Sequence, residues 1–387
     1  MMTVETVNKK ALVVTSVASM VDQFLFPSVE LLIDLGYETT VACNYEKGNT
    51  CDDKTIQSLK KRLEDIGAKY IQVDFDRGVF GIGNHVRAYK QLRRIMDSTH
   101  YDLIHCHSPI GGLLTRLAVP MNPQSQTVIY TAHGFHFYKG APIQNWLIFY
   151  PIEKLCSRKT DILITINTED YRLTKRKLKA KEIVYIPGVG IDTKTVRKTD
   201  EDIRNFRERL GCTDDETLIL SVGELNKNKN HMMVIRALED YSHKHPDVKW
   251  KYYICGKGPL EKELKAYIQQ CGLETSVHII GFTDEIDLFL SSADLFIHPS
   301  HREGLSVALM EAIAADVPVI CSDIRGNRDL VDKAALFDSK DYKYIEDKLE
   351  MFFASDAIRV LVDENKKKLE KCDISNVMNM LRRIYSR

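Results

Sequence analysis

Two carboxylates, Glu303 and Glu311, bracket Gly304 and a run of small and apolar residues in SHREGLSVALME (300–311). The pair admits three readings: a catalytic acid/base dyad, two ends of one binding site, or a solvated loop acid beside a helix-face acid. The stretch follows the apolar run DLFIHP (294–299). Gly304 gives the backbone freedom to turn sharply, Ser306 suits a helix cap, and VALMEAIAA is a good helix former. The amides of Gly304, Leu305, Ser306 and Val307 would then lie at a helix N-terminus, where unpaired N–H groups and the helix dipole favour an anion such as phosphate. At about 1.5 Å per helical residue, the two carboxylates stand several ångströms apart and do not form an adjacent dyad.

Three further loops hold chemically capable residues. SVGELNKNKNH (221–231) places Gly223, Asn226, Lys227, Asn228 and Lys229 after an apolar run. An amine there would neutralise a phosphate leaving group, or the segment is a solvated turn. TAHGFHFYKG (131–140) sets His133 and His136 among aromatics, and HCHSPIGG (105–112) adds His107 and a helix start at Gly111-Gly112. The histidines read as structural or as polar contacts in a cleft. They lack the HxxxH or HExxH spacing that would place two ligands on one helix face, so no metal is expected. Asp74-Phe75-Asp76 has the form of a metal–diphosphate triplet, but nothing around it repeats such a site. Gly256-x-Gly258 lacks the third glycine of a dinucleotide fingerprint, because position 261 is Glu261, and the first loop, TSVASMVDQF, has no glycine. A nicotinamide or flavin enzyme is therefore not expected.

The elements that must position these loops alternate between strand and helix. Strand candidates are ALVVT (11–15), TTVAC (39–43), KYIQV (69–73), DLIHC (102–106), TVIYT (127–131), DILITI (161–166) and EIVYI (182–186). FLFPSVELLIDLG has helical spacing and a glycine stop at Gly36. After PGVG (187–190) and a charged stretch, the alternation restarts with TLILSVG (217–223), KYYICG (251–256), SVHIIG (276–281), DLFIHP and VPVICS (317–322). Such alternation implies parallel sheets with helical crossovers, in an α/β chain of two Rossmann-like domains. The expected divisions are 1–192, 193–373 and a tail helix, 374–387. Ligand is expected in the cleft, at the carboxyl ends of the strands.

Composition narrows the function classes. The 387 residues carry no formal net charge, which speaks against a nucleic-acid partner. Nine cysteines without a CxxC pair fit a reducing cytoplasm better than a disulfide framework or structural zinc. The N-terminal apolar stretch reads as a strand, not a signal peptide, and no segment is expected to span a bilayer.

Glu303 and Glu311, with seven residues between them, resemble the EX7E motif of retaining GT-B glycosyltransferases. The surrounding blocks resemble glycosyltransferase family four in its usual order, over nearly the whole chain. DLFIHPSHREGLSVALMEAIAADVPVICSD is similar to that family's longest block and SVGELNKNKN to its phosphate-binding loop. TAHGFHFYKGAP and DLIHCHSPIGGLLTRLA resemble a branch that builds bacterial exopolysaccharide or capsule. The resemblance implies two domains facing across a cleft, with the tail helix crossing back to the first. It implies transfer of a hexose from a nucleotide-diphosphate donor, UDP-linked by expectation, to a glycan or lipid-linked glycan acceptor. It assigns the ribose hydroxyls to Glu311, the donor sugar to Glu303 and His133, the departing phosphate to Lys229, and the diphosphate to the amides of Gly304, Leu305, Ser306 and Val307. Phe282, after Gly281, would border the base. Gly223, Asn226, Lys227 and Arg302 complete the donor side. Ser16, His107, Gly111, Gly112 and His136 face the acceptor. Neither metal nor cofactor is implied.

Three departures stand out. Glu224 occupies the place of an arginine usual just after the phosphate-loop glycine, so Lys227 or Arg302 is expected to serve instead. Ser16 to Met20 replace a usual Gly-Gly, which weakens the role carried over to that loop. Asp316 stands where a glycine is common. A GT-B-fold epimerase or hydrolase and a non-catalytic nucleotide-sugar binder are the rival expectations. IQNWLIFYPIEKL (143–155), followed by Arg172, Lys175, Arg176, Lys177, Lys179 and Lys181, reads either as a peripheral contact with an anionic membrane at its inner face, or as core aromatics and a solvated basic helix.

Overall fold

The computed structural model describes residues 9–76, 78, 81–120, 126–193 and 197–387. The chain divides into two compact units, Met1–Gly190 with Ser375–Arg387, and Ile191–Ile374. The division falls between Gly190 and Ile191, where 192/193 was expected.

The first unit holds strands β1 (Lys10–Val17), β2 (Glu38–Asn44), β3 (Lys69–Gln72), β4 (Leu103–His107), β5 (Thr127–Ala132), β6 (Ile162–Thr165) and β7 (Glu182–Tyr185), all parallel. Their order in the sheet is β3-β2-β1-β4-β5-β6-β7. Helices α1 (Phe26–Asp34), α2 (Pro109–Ala118) and α3 (Ile143–Ser157) are among the crossovers. The second unit holds β8 (Thr217–Val222), β9 (Trp250–Cys255), β10 (Val277–Gly281), β11 (Leu295–His298), β12 (Val319–Ser322) and β13 (Leu336–Phe337), in the order β10-β9-β8-β11-β12-β13. Its helices include α4 (His231–Lys244), α5 (Ile286–Ser292) and α6 (Val307–Ala314). Helix α7 (Ile374–Tyr385) closes the chain.

Both faces of the sheets are covered, so the central strands are mostly apolar on both faces, with His105 and His107 of β4 among the buried exceptions. On β1, Ala11 and Val13 enter one core cluster, and Leu12 and Val14 enter the other. The first cluster also takes Val377, Leu381, Ile384 and Tyr385 of α7, and the Tyr37 hydroxyl donates to the Tyr385 carbonyl at 2.9 Å. The run expected as one helix, FLFPSVELLIDLG, begins inside a π-helical turn, Val21–Leu25, and continues as α1. Pro27 near the start of α1 has no N–H to continue a regular ladder, which fits a change of helical register there. Strand β4 runs one residue further than expected, so His107 is its last residue and not part of the loop. Strand β13 has only two residues, too few for a pattern.

In each sheet the chain order reverses once, between β1 and β4 and again between β8 and β11. Loops leaving such strands diverge to opposite faces and open a crevice at the carboxyl edge.

Candidate functional site

In the second unit, the reversal brings together the loops after β8 and β11. Ser306 caps α6, its Oγ accepting the Leu309 N–H at 3.4 Å. The Gly304–Val307 backbone therefore leads into a capped helix N-terminus, as the sequence pattern indicates. Gly304 itself does not take a left-handed backbone. The conformational freedom expected there belongs to Gly326, at φ +81°, where an added Cβ would lie 2.2 Å from the Gly304 carbonyl oxygen. Beside it Arg325, 4% exposed, donates from Nε to the Glu303 carbonyl oxygen at 3.1 Å. The loop after β12 thus braces the loop that holds Glu303.

The loop after β8 is tied to the same place. Asn228 donates from Nδ2 to the Arg302 carbonyl at 2.9 Å, and its own carbonyl accepts the His301 N–H at 2.8 Å. The Asn226 side-chain oxygen accepts the Lys229 N–H at 2.9 Å, so Asn226, expected on the donor side, shapes the loop. The Lys229 methylenes pass 3.1–3.3 Å from where a Cβ on Gly223 would be, which explains a glycine at that position. This path carries Lys229 Nζ to within 2.7 Å of Glu303 Oε1. His298 Nε2 lies 3.6 Å from the same oxygen, beyond a hydrogen bond, and has no hydrogen-bond partner among the described residues. Burial would raise the Glu303 pKa, but His298 and the Lys229 ammonium outweigh it and hold the carboxyl well below its usual range. Burial also keeps His298 below the usual histidine range.

Glu311 behaves oppositely. Burial, with Asp287 of α5 adding repulsion, raises its carboxyl to about 7. The two glutamates therefore differ in ionisation, which fits two tasks better than one dyad. Phe282 is 72% exposed after β10. Lys227 and Glu224 are exposed and Arg302 is half-buried. Among the described residues their side chains enter no hydrogen bond or ion pair. Leu305 is buried, which leaves its backbone alone available.

In the first unit, the residues expected on the acceptor side have definite structural partners. Ser16 Oγ lies 2.6 Å from Ser108 Oγ and accepts the Gly111 N–H at 3.2 Å, so both residues are committed within the unit. An added Cβ on Gly112 would meet the Tyr130 ring at 2.3 Å, which makes Gly112 a packing glycine. His107 is buried and contacts His133, with Nδ1 3.2 Å from His133 Nε2. His136 stacks on Phe149 of α3, ring centroids 4.5 Å apart. His133 is half-buried, directly after β5. Sequence reasoning missed His298, Arg325 and Gly326. His298 was absorbed into the strand pattern, whereas Arg325-Gly326, just past the end of β12, was a detectable strand-end glycine signal.

Two family models match the chain: Glycosyl transferases group 1 over residues 202–369 and Glycosyl transferase 4-like over residues 23–167. EpsD of Bacillus subtilis (strain 168), provisionally named a glycosyltransferase, is 34% identical over 326 residues, covering 84% of this chain and 81% of EpsD. The Escherichia coli UDP-Gal:alpha-D-GlcNAc-diphosphoundecaprenol alpha-1,3-galactosyltransferase is 27% identical over 244 residues, 62% of each chain. Among solved structures, Anabaena Alr3699/HepE in complex with UDP and glucose aligns with TM-score 0.75 at 15% identity, over 98% of this chain and 99% of that one. Sucrose-phosphate synthase of Thermosynechococcus elongatus aligns with TM-score 0.77 at 14% identity, over 98% of each. At these identities the structural likeness shows the fold.

Proposed function

This chain belongs to glycosyltransferase family four, with the GT-B fold, and on that footing we propose that it moves a hexose from a UDP-linked donor, with retention of anomeric configuration, to a glycan carried on a polyprenyl diphosphate. The observation that carries this reading is the Lys229–Glu303 pair, 2.7 Å apart, beside the Ser306-capped start of α6. Amides and a helix dipole suit the diphosphate, and an adjacent ammonium suits the charge that develops on it as the sugar departs. Lys229 turns from Glu303 to the phosphate when donor binds, and Glu303 is released to the sugar hydroxyls. Glu311, one turn into α6, takes the ribose, and Phe282 flanks the base. His133 is assigned a polar contact with the transferred sugar. The acceptor class is supported by the Escherichia coli relative, whose name specifies a diphosphoundecaprenol substrate.

Side-chain cations supply the positive charge in this account, with no metal required. Lys227 or Arg302 takes the place of the arginine displaced by Glu224. Their joint replacement by alanine is expected to weaken UDP-sugar binding about tenfold by calorimetry, the equivalent of one charge-assisted contact. Unchanged affinity would reject that assignment. The function as a whole is tested by supplying UDP-sugars and a polyprenyl-diphosphate glycan in excess EDTA. Acceptor-dependent transfer supports the reading. Donor consumption without acceptor would overturn it in favour of an epimerase or hydrolase.

No described helix is long and apolar enough to cross a membrane. Helix α3 nevertheless exposes Ile143, Leu147, Ile148 and Leu155, between 52% and 71% each. Positions 143, 147 and 155 fall on one face at helical spacing. Trp146, Phe149 and Tyr150 pack against the core around Phe137, as the alternative reading of the segment had it. All six basic residues between Arg172 and Lys181 are exposed, and the Tyr150 hydroxyl meets the Lys177 carbonyl at 3.5 Å. We propose that this apolar and basic face rests on an anionic membrane, at about 1 kcal/mol per charge near the surface. Co-sedimentation with phosphatidylglycerol vesicles should fall with salt and with Leu147→Asp. Equal recovery with neutral vesicles would count against it.

A further inference from the structure

Three histidines lie side by side in the first unit. His105 and His107 come from β4, with ring centroids 4.0 Å apart, and His133 follows β5. His105 commits both ring nitrogens, Nδ1 to the Tyr385 hydroxyl at 2.7 Å and Nε2 to the Thr131 hydroxyl at 2.8 Å. His107 commits only one. Its Nδ1 meets Nε2 of His133 at 3.2 Å, while its own Nε2 is buried with no partner among the described residues. Nδ1 of His133 likewise has no protein partner among the described residues. Burial lowers all three rings, His105 to about 3 and His133 to about 4, so each is neutral near pH 7 with a single N–H.

The unpaired nitrogen decides where the protons lie. Either His107 or His133 supplies the proton between Nδ1 and Nε2. If His133 supplies it, His107 must carry its own proton on Nε2, leaving an N–H without an acceptor. The adjoining cavity is lined mainly by apolar side chains, Leu25, Ile164, Ile186 and Val377 among them, and its two hydroxyl side chains already have partners, Ser28 at the Leu25 carbonyl and Thr131 at His105. A buried N–H without an acceptor is the rarer and costlier orphan. If His107 supplies the proton, only a lone pair is left unmet. We infer that His107 is a positioning residue that donates Nδ1–H to Nε2 of His133 and so fixes His133 as the Nδ1–H tautomer. His133 then offers its ligand a hydrogen-bond donor and not a base. The second statement rests on the proposal that His133 contacts the donor sugar, whereas the tautomer does not.

The test is a long-range 1H–15N correlation spectrum of the full chain labelled on histidine nitrogen, with His133 assigned by its loss in His133→Ala. The expected result is a protonated Nδ1 and an unprotonated Nε2. The reverse pattern overturns the inference whatever the activity. Two variants separate positioning from packing. His107→Asn keeps an N–H close to the place of Nδ1, whereas His107→Phe keeps the ring beside His105 and donates nothing. Asn is expected to hold kcat within about threefold and retain the Nδ1–H signal, and Phe to lower kcat about tenfold and mix the tautomers. Retention with Phe and loss with Asn would show that the ring only fills space and would overturn the inference. If the tautomer is as inferred but His133→Ala leaves donor KM and kcat unchanged, the sugar contact fails and the tautomer stands.

Discussion

Replacing Lys229 with alanine is expected to lower kcat by about two to three orders of magnitude, the usual cost of removing one group aimed at developing charge. The loss follows from the geometry after β8. The lysine stem crosses Gly223 and delivers its ammonium to Glu303 beside the α6 N-terminus. Lys227 sits on the same loop, but its side chain is exposed and its position does not reproduce this path. Stability should change as well. The Lys229 and Glu303 side chains are only 21% and 16% exposed, so removing the amine leaves a poorly hydrated carboxylate, at about 1–3 kcal/mol. The pH dependence has a definite sign. Glu303 is depressed in the folded state, so its contribution is present above the unfolded carboxylate pKa and is lost as pH falls through the folded value. Without Lys229 that contribution shrinks, and the variant should differ most from wild type in urea melts at neutral pH. Adding Glu303→Gln to Lys229→Ala should recover much of the stability and none of the turnover. Near-normal kcat in Lys229→Ala would remove the assigned role.

Glu311→Gln is expected to stabilise the ligand-free protein above pH 7 while weakening donor binding about tenfold. Glu311 is raised to about 7 by burial and by Asp287. The folded state therefore binds a proton more tightly than the unfolded chain, and stability declines as pH rises from the unfolded carboxylate pKa through about 7. The amide removes that decline, with a gain of up to about 2–3 kcal/mol at pH 8. Donor affinity runs the other way. An ionised carboxylate accepts from two ribose hydroxyls, so wild-type affinity should rise between pH 6 and 8, and the amide variant should stay flat. Melting curves and calorimetric titrations at pH 6 and 8 check both halves. Parallel pH slopes in the two proteins would show that Glu311 does not meet the ribose.

Much of the fold was legible because it rests on local pattern. Strands such as TLILSVG and KYYICG are continuous apolar runs ended by glycine, as doubly covered parallel strands require. The Ser306 cap was legible because its partner lies three residues away. What the sequence concealed depends on approaches between distant segments. Gly326 lies beside the Gly304 carbonyl only once β11 and β12 pair. His107 looked like a loop residue until one more strand residue buried it against His133. Gly112 looked like a helix-start glycine and proves to make room for Tyr130. Which aromatics of α3 face inward depends on the position of Phe137, which no periodicity in IQNWLIFYPIEKL discloses.

The central claim is retention during transfer of a sugar from a nucleotide diphosphate. The anomeric proton of the product glycan, observed by NMR as it forms from an α-linked UDP-sugar, tests it most directly. The account predicts the small anomeric coupling of a gluco- or galacto-configured α-linkage. The large coupling of a β-linkage would contradict it and would remove the functional reading of Glu303 and Glu311.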